Sequence, residues 1–306
     1  MNFSSMEYFV VLSQERNFTR AAERLHITQQ SLSSHIAGLE KELGCKLVIR
    51  HIPLEITYAG QMLLKYAEDF RNLHSDMERE FCDISQNQKG VLRIGSSTTR
   101  GKTILPDTIC QFSEEYPNIM IEWIEGPNDA LHQELIKGTV DVAIADFPQS
   151  LPGIKIDEYY SEETVLIVSR ELLKKVCGKD YDRAVSSFEA DDFSLLKDCP
   201  FVLGGMKDLD GRIGMSVLKN AGISNPHIKF SSHNLEMLLN LCRRGVGACF
   251  CPKNIAESIL NEKERKGLLQ FHLGEAAEYP IRFGYKERSY QWSVIEKFME
   301  CAIGNI

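Results

Sequence analysis

The sequence predicts a multidomain α/β protein in which a helical amino-terminal module, a long helix and a larger region of alternating strands and helices follow one another. Three observations predict this order. Residues 17–40 have the pattern of two short helices joined by a tight turn, and residues 58–88 form one uninterrupted amphipathic stretch. Beyond residue 90, short apolar runs alternate with amphipathic segments. With 306 residues, 43% hydrophobic and 25% charged, the chain has room for two or three globular domains.

The first element is a candidate helix-turn-helix. Small and apolar side chains recur every three or four residues on both helices, so the two faces can share one core. Ala21 and Ala22 let the second helix cross closely, Thr28 is its expected N-cap, and Gly44 is its expected end. The predicted core positions are Phe18, Ala21, Ala22, Leu25, Leu32, Ile36, Leu39 and Leu43.

The outward face of the second helix carries only small or slender polar groups, which suits the major groove of DNA. Glutamine pairs with adenine edges, and serine pairs with several bases or with phosphate oxygens. For the polar tract alone, a solvated helix face is the alternative interpretation. The residues that we expect to contact DNA are Thr28, Gln29, Gln30, Ser31, Ser33, Ser34 and His35.

A hairpin-like wing follows and favours the DNA-binding interpretation. Residues 46–57 contain two short apolar runs broken by Arg50, His51 and Pro53, and Arg50 lies where a wing contacts the DNA backbone. We therefore expect a winged helix-turn-helix domain at residues 1–60, with the helix-turn-helix at about 18–37. This domain has six cationic residues minus six carboxylates and so no net charge, whereas the whole chain has −8. A single copy should bind DNA weakly and with strong salt dependence.

Residues 58–89 predict a linker helix that pairs two copies of the chain. No proline interrupts residues 58–88, and apolar residues recur at alternating spacings of three and four, broken only by Glu80. A helix packed on its own domain is the alternative. Pairing would let two weak DNA-binding domains act together. The seam positions are Leu63, Tyr66, Phe70, Leu73, Met77 and Ile84, and Gly60 marks the boundary with the wing.

Residues 90–306 predict two α/β lobes with parallel strands. The chain passes twice between them, which makes a hinged clamp around a ligand. We expect lobe I at residues 90–162 and 268–306 and lobe II at residues 163–267. In such sheets, ligands lie at the carboxyl ends of strands and at helix amino termini.

The candidate ligand-binding turn is at residues 96–103, between a strand and a helix expected at 104–116. Its hydroxyls and backbone amides, next to Arg100, favour a carboxylate or another small anion. Ordinary helix capping is the alternative. The turn is not a P-loop, because it lacks the second glycine and the Gly-Lys-Ser/Thr ending.

Several other features predict no cofactor, metal site or membrane association. Nine scattered cysteines without paired spacing indicate reduced core residues, including Cys249 and Cys251. We expect a surface role for His233 at a helix start, with ligand contact as the alternative, and a solvated turn at residues 261–266. There is no signal peptide or apolar run that could span a bilayer, so we expect a cytoplasmic protein.

The chain resembles the LysR-type transcriptional regulators along essentially its full length. The amino-terminal motifs are highly specific, and a glycine-containing strand that ends in proline, at residues 244–252, supports them. The motifs are residues 6–12, residues 17–22, Gln29 with Ser33 and Ile36, residues 39–40, residues 43–44, Leu47, Arg50, Leu54, Thr57 and residues 59–60.

The resemblance implies a winged helix-turn-helix, a dimerising linker helix and a two-lobed effector-binding domain like periplasmic binding proteins. The expected partners are double-stranded promoter DNA, a small-molecule effector and further copies of the chain, in a homodimer or homotetramer formed through the linker helix and effector domains. RNA polymerase is a further candidate partner. By position, Gln29, Gln30, Ser33 and Ser34 would meet the operator, with Arg50 on the wing. The effector-contacting residues would be Ser97, Thr98, Thr99, Arg100, Asn128, Gly204 and Gly205.

Departures from the family pattern limit what the resemblance implies. The family often has proline in place of Gln30, a basic residue in place of Ser34 and a cation near Pro53, so the operator sequence is not carried over. The redox-sensing members have a cysteine pair in the loop after Gly204, and this chain has none there, which excludes peroxide sensing.

The leading hypothesis is a sequence-specific DNA-binding regulator whose promoter contacts are reset by a small molecule, and not an enzyme. The alternative is an α/β enzyme or transport-type binding protein with an accessory helical domain. No Ser/His/Asp or acid-base constellation is visible in the sequence, which weighs against catalysis.

Overall fold

The computed structural model describes residues 2–51, 54–85, 88–206, 208–288 and 290–305. Four residues that we assigned to the wing and the linker lie outside the described residues: Ile52, Pro53, Gln86 and Asn87. The chain divides into two compact units, Met1–Lys89 with Ser289–Trp292 and Gly90–Arg288 with Ser293–Ile306. None of the described helices combines the length and the apolar composition that a membrane span requires.

The first unit has helices whose starts are marked by polar side chains. Asn2, Asn17 and Thr28 each accept a hydrogen bond from a backbone amide in the first turn of the helix that follows. Thr28 is the predicted N-cap, and Gly44 ends the same helix with a φ of 67°, as predicted. These helices are α1 (Phe3–Glu15), α2 (Phe18–Arg24), α3 (Gln29–Leu43) and α4 (Tyr58–Ile84).

Helices α1, α2 and α3 pack around one apolar core, which confirms the predicted helix-turn-helix. Ala21 and Ala22 are buried where α2 meets α3. One predicted core position is wrong: Leu43 is 42% exposed, because it is the last residue of α3 and the chain reverses at Gly44. Phe9 of α1, which the sequence pattern did not single out, is fully buried in the same core.

The wing is present and is anchored to α3 by the buried carboxylate of Glu40. Its Oε1 accepts the amides of Leu47 at 3.0 Å and Val48 at 3.4 Å, and its Oε2 accepts the ammonium of Lys46 at 2.8 Å. Although burial opposes ionisation, these hydrogen bonds lower the pKa of Glu40. The strands of the wing are antiparallel, β1 (Val48–Ile49) and β2 (Glu55–Ile56).

Helix α4 begins at the wing and is amphipathic over 27 residues. Gly60 lies where a side chain has no room, because an added Cβ would be 2.3 Å from the carbonyl oxygen of Leu47. Leu63 of the predicted seam is buried in the core of its own unit, so it is not available to a partner. The remaining seam positions are exposed: Tyr66 56%, Phe70 48%, Leu73 65%, Met77 47% and Ile84 71%. Phe81, 64% exposed, continues the row beside Glu80.

The second unit is built on a mixed sheet. Its described strands are β3 (Gly90–Ser96), β4 (Ile119–Glu125), β5 (Val142–Ala145), β6 (Ile154–Ser169), β7 (Pro200–Leu203), β8 (His227–Ser231), β9 (Cys249–Pro252), β10 (Leu268–Phe271) and β11 (Glu278–Lys286). Seven of them form one sheet in the order β10-β6-β11-β5-β3-β4, with β9 also paired to β6. The pairs β3-β4, β3-β5 and β7-β8 are parallel as predicted, whereas β6 pairs antiparallel with β9, β10 and β11.

Strand β6 is shared by two lobes. Its first part, up to Glu163, pairs with β11, and its last part, from Thr164, pairs with β9 and β10. The strand partners of β6 therefore change between Glu163 and Thr164, next to the boundary that we expect between the lobes at 162/163. Strand β10, which we expect in lobe I, pairs antiparallel with the second part of β6.

The helices of the second unit include two that the sequence pattern missed, α7 and α8. The largest difference is at α5 (Thr98–Glu115), which begins six residues before the predicted start, so residues 98–103 of the expected loop are helical. The cause is Pro106, which we took as a first-turn residue and which lies in the helix interior. The helices are α5 (Thr98–Glu115), α6 (Asn128–Lys137), α7 (Arg170–Cys177), α8 (Tyr181–Glu189), α9 (Leu209–Asn220), α10 (Leu235–Arg243), α11 (Lys253–Ile259), α12 (Glu262–Arg265) and α13 (Ser293–Ile303).

Two smaller predictions also need correction. The expected solvated turn at 261–266 contains α12, where Asn261 and Glu264 form a reciprocal capping box. The cysteines are unbridged, but Cys45 and Cys110 are exposed, so not all of them are core residues. Cys249 and Cys251 are buried as predicted.

Candidate DNA-binding surface and effector cleft

The first turns of α3 present a continuous polar surface. The side chains of Gln29, Gln30 and Ser34 are exposed, as is the N-cap Thr28. Ser31 and Ser33 are half-buried, whereas Leu32 and Ile36 on the same helix are buried in the core.

His35 differs from the prediction, because its ring packs on α1. Its Nδ1 lies 2.8 Å from the hydroxyl of Ser5, and its ring meets the edge of Tyr8 with centroids 4.8 Å apart. His35 precedes the buried Ile36 by one position and so turns toward α1. His35 is therefore not part of the exposed polar surface of α3.

Arg50 of the wing lies beside α3. Its Nη1 donates to Ser33 Oγ at 3.3 Å, and its guanidinium carbon lies 5.2 Å from the centre of the Phe18 ring. The residue itself is exposed. The wing cation and the polar face of α3 thus form one surface, in which a planar guanidinium can bind phosphate oxygens while serine and glutamine reach bases.

A cleft of about 520 Å³ in the second unit opens between lobe I and lobe II. Lobe I contributes the first turns of α5, and lobe II contributes the start of α10 and the end of α11. Its lining residues are Thr98, Thr99, Lys102, Thr103, Ser232, His233, Asn234, Glu236, Ser258 and Ile259. Thr103 Oγ1 and Ser258 Oγ lie 3.1 Å apart and join the two walls.

Of the predicted effector residues, Thr98 and Thr99 line this cleft, whereas the others lie outside its lining. Ser97 is the N-cap of α5, although its side chain makes no capping hydrogen bond. Asn128 begins α6, and its amide nitrogen donates to the Asp146 carboxylate. Burial raises the pKa of Asp146.

Arg100 is buried behind the cleft instead of lining it. Its Nε and Nη2 donate to the two carboxylate oxygens of Glu162 at 3.0 and 2.8 Å, and the two side chains are 8% and 0% exposed. Burial disfavours both charges, but their attraction raises the pKa of Arg100 and lowers that of Glu162. Both donors of the guanidinium that face Glu162 are occupied, so Arg100 is a structural residue in this arrangement.

The buried pair continues into a polar network that crosses from lobe I to lobe II. The hydroxyls of Tyr160 and Tyr279 donate to Glu162 at 2.6 and 3.0 Å. Asp210 Oδ1 of α9 accepts from Thr164 at 2.7 Å and lies 3.2 Å from the Tyr279 hydroxyl oxygen, whose single proton goes to either Glu162 or Asp210 at one time. Burial, reinforced by Glu162, raises the pKa of Asp210 to about 6. No local pattern in the sequence indicates this network, because its members lie on four different elements.

The cleft also contains charged residues that we did not select. Lys102 and Glu236 line it, and so does His233, for which we favoured a surface role over ligand contact. His233 Nδ1 lies 2.7 Å from Asp208 Oδ2, which also accepts the amide of Gly205 at 2.8 Å. The predicted Gly204–Gly205 turn therefore packs against the His233 ring. A side chain at Gly205 has no room there, because an added Cβ would lie 2.4 Å from the ring.

Comparison with known families and proteins agrees with this organisation. The family model described as "LysR substrate binding domain" matches residues 85–305, and "Bacterial regulatory helix-turn-helix protein, lysR family" matches residues 3–61. The chain is 26% identical over 310 residues to the "Uncharacterized HTH-type transcriptional regulator YcgK" of Bacillus subtilis (strain 168), covering 98% of this chain and 93% of that protein. It is 26% identical over 259 residues to the regulator IlvY of Escherichia coli (strain K12), covering 84% of each.

Solved structures share the fold over the whole chain. Full-length OxyR C199D from Pseudomonas aeruginosa has a TM-score of 0.70 at 20% identity, with 99% of this chain and 98% of that chain covered. Full-length CbnR in complex with its target DNA has a TM-score of 0.65 at 21% identity, with both chains covered completely. With both family models matched in order, the chain belongs to the LysR family of transcriptional regulators, with a helix-turn-helix DNA-binding domain and an effector-binding domain, and is a regulator rather than an enzyme.

Proposed function

We propose that this regulator reads promoter DNA with the first turns of α3 and with Arg50, and that a small anion or carboxylate in the cleft of the second unit changes that binding. The observation that carries the proposal is the joined surface of α3 and the wing, where Arg50 lies 3.3 Å from Ser33. The residues proposed to contact DNA are Thr28, Gln29, Gln30, Ser31, Ser33, Ser34 and Arg50.

Helix α3 has the features that major-groove entry requires. Its amino terminus is capped by Thr28, so its first turn is ordered without DNA, and its exposed side chains are short. Gln29 and Gln30 can each form a bidentate pair with adenine, worth about 1–3 kcal/mol of discrimination against the wrong base. A related fold, that of CbnR, has been crystallised with its target DNA.

We further propose that two copies pair through α4, with the effector domains extending the assembly to a dimer or tetramer. Five predicted seam positions and Phe81 are exposed apolar residues on one helix, and covering them would remove this surface from water. Residues 1–60 carry no net charge, so a single DNA-binding domain should bind DNA weakly. Pairing supplies a second domain, and the two together bind more tightly. RNA polymerase stays a candidate partner, and the cytoplasm, where promoter DNA lies, is the proposed location.

The test is a mobility-shift assay on the intergenic DNA beside the protein's own gene. We expect the double variant Gln29→Ala, Ser33→Ala to lose at least about tenfold in affinity, because both base contacts would be removed. Gln61→Ala, an exposed glutamine on α4, is the matched control and should bind like the wild type. Equal affinity of all three proteins, with unchanged circular dichroism, would remove α3 from the DNA interface.

A further inference from the structure

The start of α5 is a helix amino terminus with no negative charge of its own. Its first turn contains no acidic residue, and its N-cap side chain makes no hydrogen bond. Arg100 is neutralised by Glu162, but Lys102 has no hydrogen bond or ion pair anywhere in the described residues. A cation near a helix amino terminus is disfavoured by the helix dipole, so Lys102 lies where an anion would be favourable.

The opposite wall carries the opposite charge. Glu236 is the second residue of α10 and is exposed, and among the described residues its carboxylate has no hydrogen bond or ion pair. The nearby acid Asp208 is already engaged by His233 and by the amide of Gly205. Lobe I therefore offers the cleft an unpaired cation, and lobe II offers it an unpaired anion.

The rest of the lining is hydrophilic. Five of the ten lining residues carry hydroxyls, and Ile259 is the one aliphatic residue among them. No Phe, Tyr or Trp lines the cleft in the part of the chain that the structure describes. An aromatic or long-chain acid would therefore leave its apolar surface against polar groups, which disfavours that class of ligand.

We propose that the effector is a small hydrophilic amino acid, with its carboxylate at Lys102 and the first turn of α5 and its ammonium at Glu236. This inference rests on the proposed function of the cleft as the effector site. A zwitterion satisfies both charges at once, whereas a simple anion leaves Glu236 unpaired and repelled. Because the two charges lie on different lobes, such a ligand favours the closed cleft.

The experiment measures the rise in melting temperature of the full chain with pairs of probes that differ only in one group. The pairs are L-serine and L-glycerate, L-alanine and L-lactate, and L-aspartate and L-malate, with benzoate as the aromatic acid. We expect at least one amino acid to stabilise the protein and its hydroxy acid to bind at least about tenfold more weakly. Equal stabilisation within every pair, stabilisation by benzoate alone, or no stabilisation by any probe would overturn the proposal.

Two variants locate the charges. Glu236→Gln should remove the preference for the amino acid over its hydroxy acid, and Lys102→Met should weaken both members of the pair. Glu171→Gln is the matched control for Glu236, because Glu171 is likewise the exposed second residue of a helix, α7, and lies outside the cleft. Lys219→Met, an exposed lysine on α9, is the control for Lys102. A preference that survives in Glu236→Gln would overturn the assignment.

The same probes in the mobility-shift assay separate this inference from the proposed function. If an amino acid binds with the expected variant pattern but leaves DNA binding unchanged, the amino acid site stands and effector control of DNA binding fails. If a hydroxy acid or benzoate changes DNA binding, and Glu236→Gln leaves that response intact, effector control stands and the amino acid assignment fails.

Discussion

Helix α5 carries two cations two positions apart in opposite environments. Arg100 is 8% exposed and holds Glu162 through two hydrogen bonds, whereas Lys102 is exposed at the cleft and has no ion pair in the described residues. The helix dipole disfavours both. The buried cation is retained because its partner compensates it and ties α5 to β6, and the exposed cation contributes nothing comparable to the fold. Under our proposal, fold stability and ligand binding are assigned to neighbouring residues of one helix.

The largest effect in this comparison should come from removing the partner of the buried cation. In Glu162→Gln, Arg100 keeps its charge in a site that no longer compensates it, so the free energy of unfolding should fall by about 3–5 kcal/mol. Urea unfolding measures the loss. A loss below about 1 kcal/mol would mean that water reaches the guanidinium and that the pair is not structural.

A double variant provides the control for that interpretation. Arg100→Met with Glu162→Met removes both charges and keeps apolar volume, so it should be more stable than Glu162→Gln. A double variant that is less stable than the single one would show that the tyrosine hydroxyls around the pair, and not the charge, dominate the loss.

The second prediction concerns the other end of the buried network, at Asp210. Its pKa of about 6 is above the unfolded value of about 3.9, so between about pH 4 and pH 6 the carboxyl is protonated in the folded protein while the unfolded chain ionises. Stability from this group is complete below about pH 4 and is lost as the pH rises through about 6. Asp210→Asn cannot ionise and should gain up to about 2–3 kcal/mol over the wild type between about pH 4 and pH 7.5.

Urea unfolding at both pH values checks this sign. The exposed Asp198→Asn is the control and should differ from the wild type by the same small amount at both. If the difference between Asp210→Asn and the wild type does not change with pH, Asp210 is ionised in the folded protein.

The contrast also explains which parts of the molecule the sequence could predict. The amino-terminal unit follows from local patterns: Thr28 caps α3, Gly44 ends it, and Ala21 and Ala22 pack where their size indicated. His35 was misplaced because its partner, Ser5, lies 30 positions away on α1. Leu63 was misplaced because a seam pattern does not distinguish a partner chain from the helix's own domain.

The effector cleft was harder to predict, because its chemistry is non-local. Arg100 and Lys102 are both cations near the start of α5, and the sequence pattern does not distinguish their roles. Arg100 is buried because it pairs with Glu162, which lies 62 positions further along the chain. Because proline is common in the first turn of a helix, Pro106 led us to predict the start of α5 six residues too late and to expect a loop there. Thr98 and Thr99 were selected correctly as cleft residues, because hydroxyls at the end of a strand mark the edge of the sheet where ligands lie.

The smallest effect on stability should come from Lys102→Met. The side chain is exposed and has no partner in the described residues, so the free energy of unfolding should change by no more than about 0.5 kcal/mol. Any change should be an increase, because a cation leaves the positive end of α5. Urea unfolding without ligand measures it, with Lys219→Met as the control. A loss of more than about 1 kcal/mol would mean that Lys102 supports the fold as Arg100 does, and the division between the two cations would no longer hold.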